Sequence, residues 1–185
     1  MKRIFLPLAV VSVTLLLISS GLGLAIDDPG SLDPGVQWRV SIHMLTGLAA
    51  LTFSTLLHAI LFTYFMGTGR WIEETAAAYK LSPELHARNQ RIKYRTLRGV
   101  MTCVGLIIAT GALGAAADPA SPVSMDGVAG MSGSTWHLSV AMVTVVANAV
   151  VHFIEYNAVS RNMLIIDEVL GEVRRIRVER GLAVE

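Results

Sequence analysis

Residues 38–66 read WRVSIHMLTGLAALTFSTLLHAILFTYFM and residues 135–158 read TWHLSVAMVTVVANAVVHFIEYNA. Each is an apolar run long enough to cross the ~30 Å hydrocarbon core of a bilayer as a helix, and each carries two histidines. In lipid the backbone must satisfy its own hydrogen bonds, so both runs are predicted helices and not strands. These two stretches decide the fold, because two further runs of the same kind, at about 4–26 and 99–117, complete a four-span pattern around them.

Composition agrees. The chain has 185 residues, of which 53% are hydrophobic and only 16% charged, and its mean hydropathy is +0.57; soluble domains carry roughly 25% charged residues. The expected class is all-α: a four-span transmembrane helical bundle over residues 1–160, followed by a cytoplasmic amphipathic helix over 161–185. The first run, after Met1, Lys2 and Arg3 and ending in Gly23, Leu24 and Ala25, also has the look of a cleavable leader. Its length favours a retained span. A single cysteine, Cys103, excludes a disulfide framework and any Cys-rich metal site. A net charge of +1 argues against nucleic-acid binding.

Charge sets the expected orientation. In the four-span arrangement every lysine and arginine except Arg39 falls on one side, whereas the two opposite loops carry Asp27, Asp28, Asp33, Asp118 and Asp126 and no lysine. The positive-inside rule then places both termini and the middle segment in the cytoplasm, in a bacterial inner (plasma) membrane. Residues 67–97 read as a charged, partly helical loop in which Ser82 and Pro83 suit an N-cap and first turn. Met163, Ile166, Val169, Leu170, Val173 and Ile176 recur at helical spacing, which suits a helix on the inner membrane surface or against a partner subunit. Expected partners are therefore the lipid bilayer and protein subunits docked on the 67–97 loop and the 161–185 tail. On the third span, Gly105 with Ala109 and Ala112 with Ala116 give the small-xxx-small spacing of close helix approach.

Ionisable side chains inside a membrane are expensive and by default functional. His43 and His58 lie on the second span and His137 and His152 on the fourth; both pairs are 15 residues apart and both cross-span offsets are 94. The second and fourth spans run parallel, so His43 faces His137 near the outer surface and His58 faces His152 nearer the inner one. The two levels are separated by roughly 22 Å, and 15 residues turn an ideal helix by only about 60° beyond whole turns. Two facing imidazoles, twice, suit the axial ligation of two b-type haems, for which helices need no local motif. A tetrahedral metal centre fits less well, since each level offers two histidines and no convincing complement of other ligands.

The segment from Trp38 and Arg39 to His43 and His58, together with Trp136, His137 and His152, resembles the four-helix haem core of the cytochrome b type. That core is found in quinol-oxidising bc-type complexes and in smaller di-haem membrane cytochromes. The resemblance implies that the second and fourth helices each supply two haem ligands. It is strongest over about 38–66 and 135–158 and otherwise topological; no quinol-site loop motif accompanies it.

Gly47 and Ala141, four residues after the outer histidines, and Ser54 and Asn148, four before the inner ones, are small or modest and leave space for a macrocycle or for close helix packing. Arg39 is placed either to meet a haem propionate or to snorkel to the interface. Glu155 shares the His152 face and is either a proton relay to a quinone or the charged end of the span. The expected function is an electron-transfer subunit exchanging electrons with a quinone pool or attached redox proteins. The alternative is a cofactor-free membrane anchor or scaffold subunit whose histidines are interhelical contacts.

Overall fold

A computed structural model describes residues 1–183. It contains four long helices, α1 (Lys2–Leu24), α2 (Pro34–Tyr79), α3 (Pro83–Ala117) and α4 (Gly133–Glu179), with a short 3₁₀ turn at Val128–Gly130. All four are long and apolar enough to cross a membrane. Each of the later three starts on a capping side chain. Asp33 accepts from the backbone N–H groups of Gly35 and Val36, Ser82 from that of Glu84 and Ser132 from that of Thr135, satisfying donors that the first helical turn leaves free. Pro34 and Pro83 occupy the first helical positions, where a missing N–H costs nothing. In the 118–132 loop Asp126 accepts from Gly133 N–H at 2.6 Å, which holds its carboxyl below the usual range.

Sequential neighbours pack side by side, α1 also packs on α4, and α2 and α4 meet more sparsely across the diagonal. The two histidine-bearing helices are therefore parallel and face each other through the bundle interior. Here "outer" denotes the end bearing the 25–33 and 118–132 loops. The bundle face is apolar: Ile4, Leu17, Leu45, Leu48, Ile108 and Phe153 are among the large exposed side chains, a surface suited to lipid.

Two expectations about the connections are corrected. Residues 67–97 are not a loop: α2 runs on to Tyr79, and only 80–82 separate it from α3, with Lys80 in the left-handed conformation at φ 54°. Nor is 161–185 a separate surface helix. Helix α4 continues unbroken to Glu179, and residues 184 and 185 lie outside those described. At about 1.5 Å per residue, helices of 46 and 47 residues greatly exceed a ~30 Å core, so α2, α3 and α4 project as a bundle beyond it. The reason is visible in the packing. Val169 and Ile165 are buried against Ile72 of α2 and Leu85 of α3, with Ile166 and Val173 beside them; this part of the apolar stripe packs on neighbouring helices, while Met163 and Leu170 are exposed.

A polar tie crosses this extension. Asn89 Nδ2 donates to Asn162 Oδ1 at 2.6 Å, and Asn162 Nδ2 is shared between Tyr64 Oη at 3.1 Å and Thr68 Oγ1 at 3.0 Å. Asn162 is fully buried, so Asn162→Ala leaves partners unpaired and is expected to cost about 1–3 kcal/mol, read as a lowered thermal midpoint in detergent.

The small-residue expectation on α3 is corrected at Gly105. A side chain at Gly105 would meet nothing within 4 Å; the glycines of α3 that neighbours approach are Gly99, against Val151, Gly111, against Leu51, and Gly114, against His137. Cys103 is buried in the core.

Candidate functional site

The matched spacing brings both histidine pairs together. At the outer level the His43 and His137 rings lie 6.1 Å apart, centroid to centroid, with planes at 74°. Each ring is oriented by a neighbouring helix: His43 Nδ1–H donates to the Ser19 carbonyl of α1 at 3.0 Å, and His137 Nδ1–H to the Thr110 carbonyl of α3 at 3.2 Å. A carbonyl only accepts, so both rings carry the proton on Nδ1, and Nε2 keeps its lone pair as a metal ligand requires. Metal–imidazole bonds are about 2 Å each, and a ring spacing of 6.1 Å has room for one metal atom between two imidazole nitrogens.

Two glycines complete this level. A Cβ at Gly23 would come within 2.8 Å of His43 Cε1, and one at Gly114 within 3.0 Å of His137 Cε1. Helices α1 and α3 thus have no side chain where the imidazoles sit. Neither glycine stood out in the sequence. Gly23 read as part of a possible cleavage site, and only its level opposite His43 shows its role.

The inner level uses the same donors differently. His58 and His152 stack at 5.0 Å with planes at 29°. Glu155 lies beside them, its Oε1 2.8 Å from His58 Nδ1 and its Oε2 2.6 Å from His152 Nδ1. Asn148 Oδ1 is 3.0 Å from His58 Nε2, and Ser12 Oγ is 3.2 Å from His152 Nε2. Ser12 also meets Ser54 at 2.7 Å. These six side chains are at most 3% exposed, so every polar atom depends on its partner.

Hydrogen-bond accounting assigns the protons. Asn148 Nδ2 donates to the Thr144 carbonyl, so its oxygen faces His58 and the His58 Nε2 must donate. With Nδ1 on Glu155 as well, His58 is an imidazolium opposite a carboxylate, and the pair cancels in a medium where a lone charge would be costly. Among the described residues His58, His152 and Glu155 form the group whose ligand atoms lie within 4.8 Å of one another.

Of the other expected residues, Asn148 joins the inner cluster, as above. Gly47 packs on α1, where a Cβ would meet Ser19 Oγ at 3.2 Å, and Ala141 is half-buried. Arg39 is exposed on α2, one turn outward from His43. Trp136 Nε1 donates to the Val128 carbonyl, tying the 3₁₀ turn to α4. Arg70 pairs with Glu74 on the helical extension, while Arg98 and Arg161 are exposed. His86 bonds Gln90 beyond the apolar spans. Ser12, Ser19, Thr110 and Thr144, all partners of the site, were not singled out by sequence; serine and threonine in apolar helices carry no signal until a neighbour is known.

Comparison with protein-family models, with curated proteins and with solved structures finds no match for this chain.

Proposed function

We propose that the chain is a b-type cytochrome of a bacterial inner membrane, with both termini cytoplasmic. His43 with His137 would hold one haem and His58 with His152 a second, carrying electrons across the bilayer between a quinone pool or attached redox proteins. The observation that carries this reading is the outer pair: two imidazoles at 6.1 Å, each with Nδ1 tied to a backbone carbonyl and Nε2 left for a metal. The inner pair supports it through the identical 94-residue offset.

Bound haem would supply one-electron chemistry. The chain's own residues do the rest. The Ser19 and Thr110 carbonyls orient the outer rings, and Gly23, Gly114, Gly47 and Ala141 keep bulk away from that level. Leu16, Ala50 and Val145 wall the region between the levels with apolar surface. Arg39 is available to a propionate at the outer end. The projecting bundle, with Arg88 paired to Glu168 and Arg175 to Glu172 and Glu179 on its surface, is the surface we assign to partner subunits.

The closed inner cluster favours a second reading, a cofactor-free anchor or scaffold subunit, because both nitrogens of His58 and His152 are already hydrogen-bonded. A reduced-minus-oxidised visible spectrum with a pyridine haemochrome count, on protein made with haem in excess, separates the two. Two b-type haems per chain are expected; a spectrum without haem discards the cytochrome and leaves the scaffold.

A further inference from the structure

We propose that the cleft between α2 and α3, where they leave the apolar spans, binds one phospholipid by an ethanolamine headgroup. The site is independent of the haem reading. A cavity of about 480 Å³ opens there, lined by Met66, Arg70, Glu73 and Glu74 of α2 and by Gln90 and Lys93 of α3. Met66 closes the apolar run of the second span, and Arg70 follows it by four residues, about 6 Å along the helix. That is the depth of the headgroup layer, which adds roughly 5–8 Å to each side of the hydrocarbon core. Trp71 and Tyr94, both exposed beside the cleft, suit the aromatic belt of a membrane interface.

The charges left over on the lining select the headgroup. Arg70 and Glu74 offset each other in an exposed pair at 2.8 Å. Lys93 and Glu73 take part in no ion pair among the described residues. Lys93 is only 7% exposed, and its ammonium lies over the Tyr94 ring, 4.9 Å from the centroid. A ring face compensates a buried cation far less than an anion would. Bare Gly69 on α2 makes the room, since a Cβ there would come within 3.7 Å of Lys93 Nζ and 3.0 Å of Asn89 Oδ1. Asn89 Oδ1 and Gln90 Oε1 are themselves acceptors without a partner. One cavity thus offers a cation, a carboxylate and an unpaired acceptor. A phosphate ester joined to a primary ammonium by a short link complements all three, with the phosphate on Lys93 and the ammonium on Glu73 and Gln90. Choline carries the same charge but has no N–H to donate, and a glycerol headgroup has no cation for Glu73.

The test is native mass spectrometry of the purified full-length protein, stripped of lipid in detergent and titrated with dioleoyl lipids that differ only in headgroup. Wild type should retain phosphatidylethanolamine about tenfold better than phosphatidylcholine or phosphatidylglycerol, the size of one charge-assisted hydrogen bond. Lys93→Met, which removes the charge and keeps an apolar stem, should weaken phosphatidylethanolamine binding by about tenfold. Glu73→Gln should bring phosphatidylethanolamine down to the phosphatidylcholine level. Glu73 is exposed, so this variant reads the site even where Lys93→Met fails to fold. Arg175→Gln, near the far end of α4, is the control and should change nothing. Equal retention of the three lipids, or an unaltered preference in either cavity variant, would overturn the proposal. A preference for phosphatidylglycerol would overturn it in favour of an anionic lipid, and displacement by millimolar inorganic phosphate in favour of a free anion. Haem content should be the same in every variant, so a failure here is distinct from a failure of the cytochrome reading.

Discussion

On the proposed di-haem reading, His43→Ala and His137→Ala are each expected to lower the haem content from two per chain to one, with the inner component of the visible spectrum retained. The argument starts from the independence of the levels. The outer rings contact each other, Gly23, Gly114 and two carbonyls; the inner rings are held by Glu155, Asn148 and Ser12. No hydrogen bond joins an outer ring directly to the inner cluster, the levels being linked through the Thr110–Thr144 pair between them. Removing an outer imidazole deletes one neutral hydrogen bond to a carbonyl, worth only about 1 kcal/mol, so the bundle survives while one axial ligand is gone. His58→Ala is expected to do the converse and to disturb the fold more, since it leaves a fully buried carboxylate with one partner fewer. Pyridine haemochrome analysis with the reduced spectrum reads all three variants. Equal retention of both haems in the two outer variants would refute the pairing of His43 with His137.

Gly23→Ala should empty the outer level without touching a ligand. An added Cβ there lies 2.8 Å from Cε1 and 3.1 Å from Nδ1 of His43. To make room the ring must swing away from α1, which breaks its Nδ1 bond to the Ser19 carbonyl of the same helix and carries Nε2 off its position. Gly114→Ala, at 3.0 and 3.3 Å from the same two atoms of His137, should act in the same direction and more weakly. Alanine is the better helix former by ~1 kcal/mol, so lost absorption could not be ascribed to a weaker helix. Gly21 and Gly105, whose added Cβ would meet nothing within 4 Å, are the controls: alanine there should leave the spectrum as it is. Full outer-haem content in Gly23→Ala would mean that the ring position seen here is not the one that binds.

Much of this arrangement was legible beforehand for a specific reason. Hydropathy over a span is a sum along one helix, so the four membrane-crossing segments and the starts at Ser82 and Pro83 follow from local sequence. The equal offsets of the four histidines predicted facing pairs because parallel helices of the same rise keep their register, and both pairs do meet. The charged segments were harder. Residues 67–79 and 161–179 are too polar to read as spans and carry no proline, and whether such a segment is a loop, a surface helix or a projecting bundle depends on what its apolar stripe finds. Here Ile165 and Val169 find Ile72 and Leu85.

The sequence by itself determined an all-helical chain with four candidate spans and two levels of paired imidazoles, since composition and spacing are properties of each helix alone. Only the tertiary structure decided what those imidazoles touch: carbonyls and bare glycines at one level, a shared carboxylate at the other. That difference depends on how α1 and α3 are rotated and slid against α2 and α4. Many weak packing contacts set those rotations jointly, and no single stretch of sequence encodes them.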